Sequence, residues 1–533
     1  MIEVRRSFYL RRSRFGKKLK IILIIVQLAL FAFLVINNNL LLKDILLLCL
    51  FFFLVNLIIG STIWIFKKGK KYVAFLYDFL YTALIGQTII FVFIVFLTTP
   101  RYITKKDAIV DLDMLVAKCE NVHPDLYYHI PKESFSKILN KVKNNLPDKI
   151  SELQFTKVCF QLCSHFKDGH TKPLLNLLEK RNQWFFKCSF PYKINVIDNR
   201  LYISDSFVPV GGIPLGSEII EINGKTANEF ISEMETLLSY ESDTWRNTLL
   251  SDPNKIAMWN DFNSYKLKYK KKGSDKILET TAAAGIISKI ISKGRYRDKR
   301  SAQLVYKVLP DNIGYIGFYD CHDLSGYKQF FSSTFADINR KSIDDLIIDV
   351  RKNGGGYSII GLDLMKYIFH QPFQEFDSLT FKVSNELIET KKLDYYLNSE
   401  KQVIGKMYTI IPDYLSPYDK PLRFFGNTYL LTDKGTFSAA TIFVSTFKCF
   451  GNGKIIGEPT GGLSVTFGDV YGFTLPNSNI KMWTSWKKFY QACGIDNGLG
   501  VIPDYVVKNS PTDEIGGQDK VLEYTLDLIK NSR

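Results

Sequence analysis

Three long apolar runs open the chain: residues 20–36 (KIILIIVQLALFAFLVI), 45–66 and 73–98. Each is long enough for a helix crossing a bilayer core, which takes about 20 residues. The pattern therefore predicts a membrane anchor with three spans over residues 1–106. Over residues 107–180 apolar positions recur every three or four residues, as in AIVDLDMLVAKC and FSKILNKVKNNL, with Pro124 and Pro147 as punctuation. That period predicts a small helical cap. Residues 181–310 alternate in short runs such as YKINVI and RLYISDSF between Gly, Pro and Asn, the pattern of small antiparallel strands. Over residues 311–533 the short apolar strands NIGYIGFYD, DLIIDV and TYLLTD each lead through a turn into a helical stretch, which predicts an α/β core.

At 533 residues the chain is too long for one hydrophobic core, in keeping with several domains. Its net charge of +16 is unevenly spread. Arg5, Arg6, Arg11, Arg12, Arg14, Lys17, Lys18 and Lys20 precede the first run, and Lys67, Lys68, Lys70 and Lys71 follow the second. Basic flanks belong on the cytoplasmic side, so an odd number of spans predicts a multi-pass cell-membrane protein whose later part lies outside the cytoplasm. In a cell with two membranes that means the inner membrane and the periplasm. No cleavage site of small residues follows the first run, which argues against a signal peptide. The same clusters, with the lipid bilayer as partner, account for the basic charge without a nucleic-acid partner. Asn56, Asp78 and Gln87 inside the runs read as contacts between helices.

Of eight cysteines, Cys49 falls in a predicted span and the other seven are irregularly spaced. No second pair stands at zinc-finger spacing beside Cys159 and Cys163, so no metal is expected and no disulfide is predicted.

Two strand-to-helix turns carry candidate chemistry. In LIIDVRKNGGGYS, Gly354–Gly356 leave backbone N–H groups open at a helix start, able to hold an oxyanion or simply to make a tight turn. In TYLLTDKGTFSAATIFVSTF, Ser438 stands at a helix N-terminus, where its hydroxyl is exposed and the Ala439 N–H is an oxyanion donor; an ordinary N-cap serine would look the same. A serine nucleophile needs a base, and the chain has six histidines. His170 stands only modestly ahead of the others, because the Asp168-Gly169 turn can present its ring from a loop.

The ordered motifs GYIGFYD, LIIDVRKNGGG, TFSAATIFVSTF and IIGEPTGG, closed by GLGVIPDYVV, resemble the tail-specific (C-terminal processing) serine peptidase family over roughly residues 107–510. That resemblance implies Ser438 as nucleophile, with Ala439 and Gly355 supplying the oxyanion hole. One branch of the family pairs the serine with a lysine twenty-five positions downstream, where this chain has Leu463. The sequence is instead similar to the tricorn-like branch, whose histidine motif matches DGHT at Asp168 to Thr171. This makes His170 the base and Asp496, in GIDNGLGVIPD, the nearest match to the acid behind it. Two departures stand out: Gly169 replaces a serine, and the acid is aspartate rather than glutamate. Asp349 and Asp504 read as structural. Residues 212–230 resemble half of a PDZ domain, a module that grips peptide tails by strand addition.

The expected protein is thus multi-domain: three transmembrane helices, a helical cap carrying the base, a PDZ-like β region, and an α/β core like the crotonase-like spiral of these peptidases. It is expected to hydrolyse peptide or protein substrates without a cofactor. Its rivals are a peptide- or ligand-binding membrane protein on the same fold, and a transport or sensor protein. The oligomeric state is not legible.

Overall fold

In the computed structural model the described residues are 102–174, 188–207, 212–252, 256, 262, 264–286, 304–494, 498–510, 513 and 517–533, all in one compact unit. The expected fold class with three transmembrane helices is corrected. No helix among the described residues is long and apolar enough to cross a membrane, and segments 20–36, 45–66 and 73–98 lie outside them. The longest described helix, Lys105–Val122, is interrupted by Lys106, Asp107, Asp111, Asp113, Lys118 and Glu120, which rules out a span. The expected multi-pass localisation is corrected with it, since no described helix could carry a span. The described chain is a mixed α/β protein built on several sheets.

The central sheet has the order Leu304–Leu309, Ile313–Phe318, Asp345–Asp349, Asn427–Thr432, Gly453–Gly457, Tyr505–Val506. The first pairing is antiparallel and the others parallel. Strand alternation decides its two faces. Leu346 and Ile348 pack with Phe331, Phe335, Leu364 and Phe443, from helices Tyr327–Arg340, Ser358–Ile368 and Ala439–Phe450. Ile347 faces the other way, toward Tyr429, Leu431 and the Val521 and Ile529 of helix Lys520–Ser532. Asp349 closes its strand by accepting from Tyr315 Oη (2.6 Å) and Arg351, which also pairs with Asp519 at the last helix's N-cap. Asp504 Oδ2 accepts the Ile455 N–H at 2.8 Å.

A second, antiparallel sheet runs Met407–Ile410, Phe376–Lys382, Lys481–Gln491, Val465–Thr474. The short strand Lys172–Pro173 joins its long member, with Lys172 opposite Trp483 and Pro173 opposite Met482. That strand emerges from the helices Lys105–Val122, Lys132–Asn145 and Glu152–Ser164, the last held by a Ser151/Gln154 capping box. Leu112, Leu115, Phe135 and Phe155 from this segment share a core with Leu475, Ile480 and Met482. The residues just before Lys172 are thereby fastened to the second sheet.

A third sheet, also antiparallel, orders Ile277–Ala283, Ser264–Lys270, Glu218–Ile222, Arg200–Ser206 and Tyr192–Ile197. Helices Ala227–Glu235 and Asp243–Leu250 cover it through Phe230, Ile231, Leu249 and Leu250. A disulfide, Cys449–Cys493, ties the end of helix Ala439–Phe450 to the segment after strand Lys481–Gln491, whereas Cys119, Cys159, Cys163 and Cys321 are free and buried.

Candidate active site

Ser438 caps helix Ala439–Phe450 with φ 54° and ψ −125°, a conformation that a non-glycine residue holds only when its surroundings impose it. The turn before it supplies that constraint. The Phe437 N–H donates to Asn353 O (2.9 Å), and Thr436 Oγ1 donates to Val350 O (3.0 Å), at the end of the neighbouring strand. The serine side chain is thus presented above the helix start instead of capping it, and no side-chain cap bond forms.

His170 Nε2 lies 3.2 Å from Ser438 Oγ, although the two residues are 268 positions apart. The ring stacks on Phe437 at 5.1 Å between centroids, and Phe437 stacks in turn on Trp245 at 3.9 Å. This stack explains the glycine before the histidine: a Cβ on residue 169 would stand 2.7 Å from Phe437 Cζ. Two other histidines have partners elsewhere, His322 with Asp320 and His370 with Asn452 and Phe424 O.

The glycine loop lies against the serine turn. A Cβ on Gly355 (φ 93°) would stand 2.7 Å from Ser438 Cβ, 2.8 Å from Phe437 O and 2.9 Å from Ala439 N. Only glycine permits that approach. The Gly355 N–H, expected to face an oxyanion, donates instead to Asn353 Oδ1 at 2.9 Å. Gly356 and Ala439, not Gly355, line the cleft that holds Ser438 and His170, together with Ile442, Phe376 and Phe489. Lys487, at the same cleft, is paired with Asp469 and donates to Tyr396 Oη at 2.8 Å. No cluster of metal ligands occurs among the described residues.

Asp496 lies outside the described residues. The acid that the structure brings to His170 is Asp168, two positions before it: Oδ1 is 3.7 Å from His170 Nδ1 and accepts the His170 N–H at 2.8 Å. It was visible in the DGHT motif, but as a turn residue. His123, 3.4 Å from Asp168 Oδ2, carried no signal beyond being a histidine before a proline.

Glu241 was also missed. Its carboxylate accepts from Thr466 Oγ1 at 2.8 Å and from Leu463 N at 3.4 Å, filling the place beside the position where the other branch carries lysine. Burial, reinforced by the Asp168 charge, pushes this carboxyl from 4.5 to about 8. The folded chain therefore holds a proton that the unfolded chain releases, and stability is lost as pH rises from about 4.5 toward 8. Glu241→Gln, which keeps the neutral shape, should remove that loss. Urea midpoints of variant and parent should nearly coincide at pH 4, and the variant's should be higher at pH 8.5; an equal difference at both pH values would show that Glu241 does not titrate in this way.

Comparison with known proteins accords with this geometry. The family model of Peptidase family S41 matches residues 312–507. The tricorn protease of Thermoplasma acidophilum is 27% identical over 242 residues, 44% of this chain but only 18% of that protein's length. Two structures of mature CPAF, one complexed with lactacystin, superpose with TM-scores of 0.59 and 0.56 at 14% identity, over 80% of this chain and 98% and 96% of theirs. At that identity the likeness is one of fold. Residues 312–507, which hold Ser438 and the glycine loop, match the serine-type Peptidase family S41.

Proposed function

We propose that the protein hydrolyses peptide bonds in peptides or protein tails, with Ser438 as nucleophile and His170 as general base and acid. The observation that carries this reading is the 3.2 Å approach of His170 Nε2 to Ser438 Oγ at a strained helix start. Ser438 attacks the scissile carbonyl as His170 takes its proton, and His170 then returns a proton to the leaving amine. The Ala439 and Gly356 N–H groups, both on the cleft, hold the oxyanion. Gly355, whose N–H serves Asn353, lets the loop reach the serine. Ile442, Phe376 and Phe489 offer an apolar wall to the substrate side chain beside the scissile bond. Trp245, on helix Asp243–Leu250 of the third sheet's layer, props Phe437 from behind.

A fluorophosphonate probe tests this directly. The parent chain is expected to be labelled on Ser438 and to lose its peptidase activity in step with labelling, while Ser438→Ala, with an unchanged melting temperature, takes up no label. A folded parent that neither labels nor cleaves peptides would instead be a peptide-binding protein on this fold.

A further inference from the structure

We infer that Asp168 is the carboxylate that orients His170 toward Ser438, and that His123, on the far side of Asp168, is a second positioning residue which holds it there. The inference rests on the Ser438–His170 reading above.

For His170 to take the serine proton, its Nε2 lone pair must face Ser438, which leaves the ring proton on Nδ1. That nitrogen is buried, has no hydrogen-bond partner, and faces Asp168 Oδ1 at 3.7 Å. His123 is arranged in the mirror sense. Its Nδ1 accepts the Asp125 N–H at 3.1 Å, so its ring proton is on Nε2, also buried, without a partner, and 3.4 Å from Asp168 Oδ2. Two histidines thus turn their protonated nitrogens to opposite oxygens of one carboxylate. Both gaps exceed a good hydrogen bond; such contacts are commonly loose without substrate and tighten when the imidazole takes on charge.

Asp168 is fully buried and further encircled by donors: the His170 N–H at 2.8 Å, Ser485 Oγ at 2.7 Å and Thr171 Oγ1. Burial alone would raise its pKa, but the two facing rings hold it well below the usual carboxylate range, so it remains an anion. The other titratable groups around it do not compete for that role. Burial keeps the Cys119 and Cys163 thiols protonated, the Glu241 carboxyl is raised to about 8, and Lys172 Nζ is engaged by Gly169 O. His123 stands at the end of helix Lys105–Val122, its ring 4.5 Å from that of Phe467 on the cleft wall. The helical segment therefore reaches the nucleophile through His123, Asp168 and His170.

The test uses the full chain, with kcat, KM, the pH–rate profile and fluorophosphonate labelling of Ser438. Asp168→Asn should lower kcat by about 10² to 10⁴ with KM within a few-fold, as loss of the orienting carboxylate does in other serine–histidine sites. It should also move the acid limb of the profile to lower pH, because the imidazolium loses its anion. His123→Phe keeps the ring packing but no donor, and should slow turnover and labelling about tenfold, the size of one lost bond to a charged group. His123→Gln places an amide nitrogen near the lost Nε2 and should restore most of that rate. An unchanged kcat and acid limb in Asp168→Asn would overturn the inference, as would their appearance in Asp496→Asn alone. Where Asp168→Asn fails to melt cooperatively the His123 pair decides, and equal rates for Phe and Gln would overturn it. A parent chain without Ser438-dependent labelling would defeat the peptidase reading itself, a result distinct from all of these.

Discussion

His170→Ala is expected to lower kcat by about 10⁴ to 10⁶ while KM changes little, the size seen when the base of a serine–histidine system is removed. The imidazole acts on the reacting atoms and supplies little ground-state binding, so the loss should fall on turnover. Its ring lies 3.2 Å from Ser438 Oγ and no lysine takes its place: position 463 is a buried leucine. Lys454, the lysine nearest in sequence to position 463, is exposed on strand Gly453–Gly457, and Lys454→Ala should leave kcat within about twofold. Steady-state kinetics on a chromogenic peptide decides. Equal losses in Lys454→Ala and His170→Ala would point to a lysine base and sink the histidine assignment.

Gly355→Ala is expected to lower stability by about 2–4 kcal/mol and to abolish labelling of Ser438, from strain and overpacking together. The added methyl would meet Ser438 Cβ, Phe437 O and Ala439 N at 2.7–2.9 Å, and φ 93° is unsuited to any side chain. Most of these atoms are backbone of the serine turn, so relief moves the nucleophile itself. Gly354→Ala, one position earlier, meets nothing within 4 Å and should preserve both melting temperature and labelling. A Gly355→Ala chain that melts and labels like the parent would show that the loop is not packed against the serine.

The difference between these neighbouring glycines was not legible in the chain. The triplet announced a turn, but which member touches Ser438, which N–H is taken by Asn353 and which remains on the cleft depend on a loop meeting another loop. Local pattern carried further for the strands. The short apolar run in DLIID and the helical stretch from Ala439 to Phe450 are properties of short windows, and they put Ser438 at a helix start before any tertiary contact was known. For the apolar runs before residue 100 hydropathy alone predicted spans; they lie outside the described residues, among which no helix has that character.

Sequence by itself therefore determined the strand–turn–helix around the serine, the absence of a lysine at position 463, and the resemblance to the tail-specific peptidases. The resemblance had paired His170 with Ser438, but tertiary structure alone decided what holds them together. Ser438 comes from the central sheet, the His170 loop is fastened to the second sheet by Lys172–Pro173, and Phe437 is propped by Trp245 from helix Asp243–Leu250. His123, on a helix end 45 positions before Asp168, approaches the carboxylate only because the helical segment shares a core with Leu475, Ile480 and Met482. Periodicity records which face of an element is buried but not what lies against it, so a pairing between distant residues is fixed by the packing of whole elements.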